Sequence, residues 1–174
     1  MPVEYVKEVE RAQTSHLPDP YDPTPIERGI GTYYTHLNWG RISFAIIEDR
    51  KFKSSPQKTV PAGEIVNGWP GNPDYDAARD GDVEGAVLLG QRQLDFMEAW
   101  AGDWSGGAWF KSVISQTIFA NVATLPPPAR ADDIVPKLRV LEPGEYAKDD
   151  MLVQDHDSNG WPQSGRNEAL EILR

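Results

Sequence analysis

Thr32-Tyr-Tyr-Thr-His-Leu37, Asn38-Trp-Gly40 and Arg41-Ile-Ser-Phe-Ala-Ile-Ile47 read as strand, turn and strand. β-Branched and aromatic residues flank a glycine turn, the local signature of a hairpin. In the second strand, Ala45-Ile46-Ile47 departs from strict alternation toward a continuous apolar run. Such a run fits a strand covered on both faces, as in an α/β sheet.

Working outward, Val3, Val6 and Val9 recur every three residues among Glu and Lys, which predicts a helix over 2–14, with Pro2 in the tolerant first turn. Pro18, Pro20, Pro23 and Pro25 then make 16–28 an extended or turning loop, ordered by packing alone, because each proline removes a backbone donor. On the other side, residues 48–87 turn polar. Gly, Pro and Asp dominate from Gly63 to Gly85, with Asp74, Asp76, Asp80, Asp82 and Glu84 close together, and the stretch reads as a long insertion. Leu94, Met97 and Ala101, with Phe96 and Trp100 beside them, predict an amphipathic helix over 90–103. Phe110-Lys-Ser-Val-Ile-Ser115 predicts a strand, and Pro126-Pro-Pro128 opens another irregular stretch. A helix is expected over 165–174, with Ser164 as its N-cap. The order implies α/β architecture with long Gly/Pro/Asp-rich loops. Three strands leave sheet edges open, so sheet-edge self-association is an expectation. Trp69, Tyr75, Trp104 and Trp109 lie in or beside the loops and are expected to anchor them.

A chain of 174 residues, 39% hydrophobic, fits one domain with a real core. A net charge of −10 argues against nucleic acid and anionic membranes as partners, since both demand excess Lys and Arg. No apolar run has the length of a membrane span, and the charged start is unlike a signal peptide. With no cysteine, thiolate chemistry and Cys-held zinc are excluded within these residues. No Gly-x-Ser-x-Gly elbow, Walker A loop or dinucleotide fingerprint occurs.

Asp155-His-Asp-Ser-Asn-Gly160 matches the opening of a calcium loop, but the twelfth position, which should supply a carboxylate, is Arg166. An Asp/Asn-rich turn before a helix is the reading that survives. His16 and His36 fit packing or capping roles. His156, between two acids, is expected in a solvated turn where those acids favour its charged form. The pairs Asp132/Asp133 and Asp149/Asp150 read as solvated surface.

Local charge carries more information. Arg41, Arg50, Lys51, Lys53 and Lys58 outnumber Glu48 and Asp49 across 41–58, at the carboxyl end of a strand, where ligands of α/β sheets bind. A planar guanidinium matches a phosphate's oxygens, which makes Arg50 the candidate phosphate contact. The competing reading is a surface strand end with Arg50 salt-bridged to Asp49.

Several stretches together resemble the PhoD-like metallophosphatases, the alkaline phosphatase D group of the calcineurin-like metallophosphoesterases. They are His16-Leu-Pro-Asp-Pro-Tyr-Asp-Pro-Thr-Pro25, Gly31-Thr-Tyr-Tyr-Thr35, Ile42-Ser-Phe-Ala-Ile-Ile-Glu-Asp-Arg-Lys-Phe-Lys-Ser54, Leu88-Leu-Gly-Gln-Arg-Gln-Leu94, Ser115-Gln-Thr117 and Asp157-Ser-Asn-Gly-Trp-Pro-Gln-Ser-Gly-Arg166. The resemblance implies that residues 1–174 are an interior part of one α/β/β/α sandwich domain. It implies hydrolysis of phosphomonoesters or phosphodiesters by divalent or ferric metal ions, which polarise the phosphoryl oxygen and generate hydroxide. The family's metal motifs would fall outside both ends, so the chain alone is expected to hold no metal tightly and to be inactive. Arg50 matches the family's acid-Arg position at a strand end, and Asp157 and Asn159 match a family turn that either touches the metals or only shapes the pocket. The family also implies a secreted or periplasmic setting. A different class of function, a self-contained binding or assembly module using Trp-rich loops or sheet edges, stands beside this one.

Overall fold

The computed structural model describes residues 2–120, 123–125, 140–148, 150–158 and 160–174. Its elements in chain order are α1 (Val3–Thr14), β1 (Thr35–Trp39), β2 (Ile42–Ile46), α2 (Pro56–Thr59), β3 (Ile65–Val66), β4 (Trp69–Pro70), α3 (Ala77–Asp80), α4 (Gln91–Gly102), β5 (Phe110–Ile114), β6 (Ala123–Leu125), β7 (Met151–Val153) and α5 (Gln163–Ile172). The mixture of helices and sheets is the α/β class expected. No helix among the described residues is long and apolar enough to cross a membrane. The chain divides into two compact units. The first comprises Met1–Phe52, Leu89–Gln116 and Ala169–Arg174; the second comprises Lys53–Leu88 and Thr117–Glu168.

In the first unit the hairpin forms, but its first strand is shifted: it takes in Asn38 and Trp39, read as turn, and leaves out residues 32–34. β1 and β2 pair antiparallel from Thr35↔Ile46 to Trp39↔Ile42, across a two-residue turn in which Gly40 takes φ +60°. β5 then adds parallel to β2, giving the order β1-β2-β5. The connection from β2 to β5 passes through α4, so this is a β-α-β arrangement. β2 buries Ser43 and Ala45 fully on one face and leaves Ile42, Phe44 and Ile46 half-buried on the other. α4 buries Leu94, Phe96, Met97 and Trp100, and it meets the first face through Trp100, whose indole N–H donates to Ser43 Oγ at 2.9 Å.

The proline loop is held by more than packing. Having lost donors, it serves as acceptor: Tyr33 OH donates to Pro18 O (2.7 Å), Thr35 Oγ1 to Asp19 O (2.8 Å), and Arg92 to the Asp22 carboxylate and Thr24 O (2.8 Å each). Tyr21 and Tyr34 close on Phe96 at ring distances of 4.8 and 5.4 Å.

The second unit corrects the reading of 48–87 as a bare insertion. Part of that stretch folds into the short elements α2, β3, β4 and α3, and together with Trp161 it builds a core: Val60, Ile65 and Trp161, with Tyr75, Val83 and Ala86 against it. Two small sheets, β3-β4 and β6-β7, also lie here, both antiparallel. α5 begins at Gln163, so Ser164 sits inside it instead of capping it. The cap comes from a distant loop: Asp82 accepts from Ser164 N–H (3.1 Å) and from Ser164 Oγ (2.7 Å). A carboxylate suits that place because the first N–H groups of a helix lack internal partners and carry partial positive charge. Of the four loop aromatics expected to anchor, Tyr75 packs on this core and Trp69 is half-buried, whereas Trp104 and Trp109 remain exposed.

Candidate functional site

Two places hold the residues singled out by sequence, one in each unit. In the first unit, the end of β2 is fixed by a side chain that sequence reading passed over. Gln93, fully buried on α4, accepts from Glu48 N–H through Oε1 (2.7 Å) and donates from Nε2 to Glu48 O (2.6 Å) and Leu89 O (2.9 Å). The amide thereby extends the strand's hydrogen bonding beyond its last ladder partner. Its signal was available: Gln93 precedes Phe96, Met97 and Trp100 by three, four and seven positions, so a polar amide stands on the apolar stripe.

Past that clamp, Asp49 is fully buried and Phe52 N–H returns to Asp49 O at 3.0 Å, closing a turn. Arg50 stands on this turn, exposed, and makes no hydrogen bond or ion pair among the described residues. The salt bridge to Asp49 that competed with the phosphate reading is therefore not formed. The neighbouring Lys51 is committed: it pairs with Glu10 and, at 3.6 Å, with Glu48, and donates to Gly31 O at 3.0 Å. Burial raises the Glu48 carboxyl above its ordinary range, with Lys51 opposing and Asp49 adding to the rise. Arg41 is spent on the Trp109 ring, 3.7 Å from its centroid. Within this unit the basic cluster thus leaves Arg50 as its uncommitted guanidinium.

In the second unit, the turn 155–158 forms as an Asp-rich turn and not as a cation loop. Asp155 Oδ1 accepts from Asp157 N–H (2.9 Å), and Oδ2 accepts from Ser158 Oγ (2.8 Å), so both its oxygens serve the turn. Gly68 packs directly beneath, where a Cβ would come within 2.0 Å of Asp155 Oδ1 and 3.0 Å of Asp157 N; only glycine fits. Asp157 is held by its backbone, its carbonyl accepting from Lys53 Nζ at 2.8 Å, while its carboxylate makes no hydrogen bond or ion pair among the described residues. Asn159 lies outside the described residues, as do Pro126-Pro-Pro128, Asp132, Asp133 and Asp149.

His156 overturns the expectation of a solvated, charge-favouring turn. It is fully buried, with Nε2 2.8 Å from Tyr75 OH and Nδ1 3.2 Å from Gln154 O, and its backbone N–H donates to Gly68 O at 2.7 Å. Loss of water lowers its pKa, outweighing the Gln154 carbonyl and the carboxylates of Asp155 and Asp157; Lys53 adds to the lowering. The neutral ring donates from Nδ1 to the carbonyl and accepts the Tyr75 hydroxyl at Nε2. Tyr75 in turn is pushed up to about 12, first by burial and then by Asp80 and Asp76. With both nitrogens engaged, His156 rivets the turn and has no free nitrogen for general-base work. The signal in the sequence is Trp161 five residues on, whose ring lies 5.5 Å from the imidazole and whose indole N–H donates to Gly81 O at 2.7 Å.

His36 is exposed on β1, its ring 6.4 Å from Phe96, and His16 is exposed in the proline loop. Among the described residues no three of His, Asp and Glu come together to hold a metal ion. The donors among the described residues therefore do not fit a resident ion.

No protein-family model and no curated protein matches the chain. Among solved structures it is similar to one described as "Structure of PhoD", with a TM-score of 0.55 and 18% identity, over 98% of this chain and 26% of that one. The likeness is one of fold, and the chain spans about a quarter of the structure it matches: an α/β arrangement like part of PhoD.

Proposed function

We propose that these residues form an interior portion of a PhoD-like, metal-dependent phosphatase or phosphodiesterase that hydrolyses phosphate esters. The observation that carries this reading is the agreement of fold with the PhoD structure over 98% of the chain. At 18% identity that agreement owes little to matched residues, so it adds to the ordered sequence segments from His16 to Arg166.

In this reading Arg50 donates to the non-bridging oxygens of the substrate phosphate while water attacks phosphorus and the ester oxygen departs. Its support is an exposed guanidinium, without a hydrogen bond or ion pair among the described residues, on a turn fixed by the Gln93 clamp. Asp157 and Asn159 shape the pocket; the Asp157 carboxylate, which has no hydrogen bond or ion pair among the described residues, and its backbone, held from both sides, support that role. The divalent or ferric ions belong to residues elsewhere in the larger enzyme. A secreted or periplasmic setting belongs to the same reading.

The test is hydrolysis of p-nitrophenyl phosphate and bis-p-nitrophenyl phosphate by the 174-residue chain with added divalent or ferric ions. No turnover is expected, and metal-dependent turnover at the rate of an intact PhoD-like enzyme overturns the reading. The exposed Trp104 and Trp109 favour a second reading, a self-contained binding or assembly module. Cooperative unfolding of a monodisperse monomer would favour that module.

A further inference from the structure

The first unit holds a cavity of about 360 Å3 beside the start of β2, the opposite end of that strand from Arg50. The hairpin register builds one wall. His36 lies opposite Ala45 and Asn38 opposite Ser43, so these two β1 side chains share the face that meets α4. The His36 ring stacks on Phe96 at 6.4 Å with 26° between the planes, and Ser43, Phe96 and Trp100 form a buried floor. Tyr21, half exposed, closes the side toward the proline loop, its ring 4.8 Å from Phe96. The loop after α4 closes another side, where a Cβ on Gly106 would stand 2.7 Å from Asn38 Nδ2.

The sign of its charge follows from the lining, which includes no Lys or Arg and a single carboxylate, Asp103. Asp103 Oδ1 accepts from Ser105 N–H at 2.8 Å, and the carboxylate makes no ion pair among the described residues, His36 included. The Ser105 hydroxyl and then its N–H hold the Asp103 pKa below the ordinary carboxylate value; desolvation opposes them, and the charges of Lys111 and His36 add to the lowering. Asp103 is therefore ionised at neutral pH. Lys111 stays outside the lining, its amino group donating to the carbonyls of Trp100, Ala101 and Asp103 at the end of α4.

These features choose the ligand. A carboxylate without a cationic partner attracts a cation and repels an anion, and a bare metal ion would need more carboxylate or imidazole donors than gather here. Aromatic faces hold an organic cation through their quadrupole and its hydrocarbon through contact. The Asn38 amide and the Ser105 hydroxyl in the same lining can accept the further N–H donors of a primary ammonium. A volume of about 360 Å3 lies at the small end of ligand pockets.

We propose that this cavity binds a small primary amine carrying an apolar group, its ammonium on Asp103 and its apolar part against Tyr21 and Phe96. The test is titration calorimetry of the full chain with phenethylamine, beside two ligands of similar shape that lack the positive charge, phenethyl alcohol and phenylacetate. The amine is expected to bind with a Kd of about 1 mM or tighter, and at least about tenfold more tightly than either control. It should also shift the backbone amide resonances of Asn38, Ser105 and Gly106. Asp103→Asn keeps an acceptor for the Ser105 N–H and removes the charge, so it should weaken amine binding by about tenfold or more at an unchanged melting temperature. No binding of the amine overturns the proposal, as does equal binding of phenethyl alcohol or phenylacetate by the unaltered chain. An Asp103→Asn chain that binds the amine as tightly as its parent overturns it as well. Phosphate-ester hydrolysis plays no part in this readout, so failure of the phosphatase reading is seen separately in the turnover assay.

Discussion

Gln93 carries no charge, yet it replaces a ladder neighbour for Glu48 and so fixes the chain just ahead of Arg50. Gln93→Leu keeps the volume and leaves a buried N–H and C=O without partners, which should cost about 1–3 kcal/mol in urea unfolding. An unchanged unfolding midpoint would mean that water or another group serves Glu48 equally well. His156 sets a pH dependence. Its folded pKa lies below the ordinary histidine value of 6.5, so the unfolded chain binds the extra proton first. Its contribution is complete above about pH 6.5 and is lost as pH falls from there through the lowered folded value. Urea midpoints between pH 7.5 and 5.5 should therefore fall, and His156→Gln should flatten that slope; parallel slopes would contradict the assignment. The charges beside His156 were legible in sequence, but its burial was not. Asp155 and Asp157 flank it in the chain, whereas Tyr75 and Gly68, which enclose it, come from a stretch far away in sequence.

Among elements, those whose residues meet their neighbours locally were readable. The hairpin around Gly40 and the stripe of α4 declare themselves by alternation and by three-to-four spacing. What escaped was set by long-range partners. α5 begins before Ser164 because Asp82 supplies the cap, and the stretch 48–87, read as a long insertion, instead contributes Val60, Ile65, Tyr75, Val83 and Ala86 to a small core. Asp82→Ala should lower stability by about 1 kcal/mol, with amide exchange accelerating first in the opening turn of α5. Uniform acceleration along the helix would argue against a capping role. The proline loop follows the same rule: its missing donors were visible, while the side chains of Tyr33, Thr35 and Arg92 that answer its carbonyls were not.

For the molecule as a whole, an acidic chain of two compact units has a fold like a quarter of PhoD and sets Arg50 on a braced turn. In the proposed function a net charge of −10 would leave phosphate recognition to local groups, and within the first unit Lys51 and Arg41 are already engaged. That places the phosphate-recognition role, in the proposed function, on Arg50. The most direct measurement is kcat/KM for a phosphate monoester and a phosphodiester, with and without metal ions, in the product of the complete reading frame containing this segment, beside its Arg50→Ala and Arg50→Lys variants. Metal-dependent hydrolysis is expected, reduced about 100-fold or more by Arg50→Ala and only partly recovered by Arg50→Lys. A product that cleaves no phosphate ester with any of the ions, or an Arg50→Ala variant as active as its parent, would contradict it.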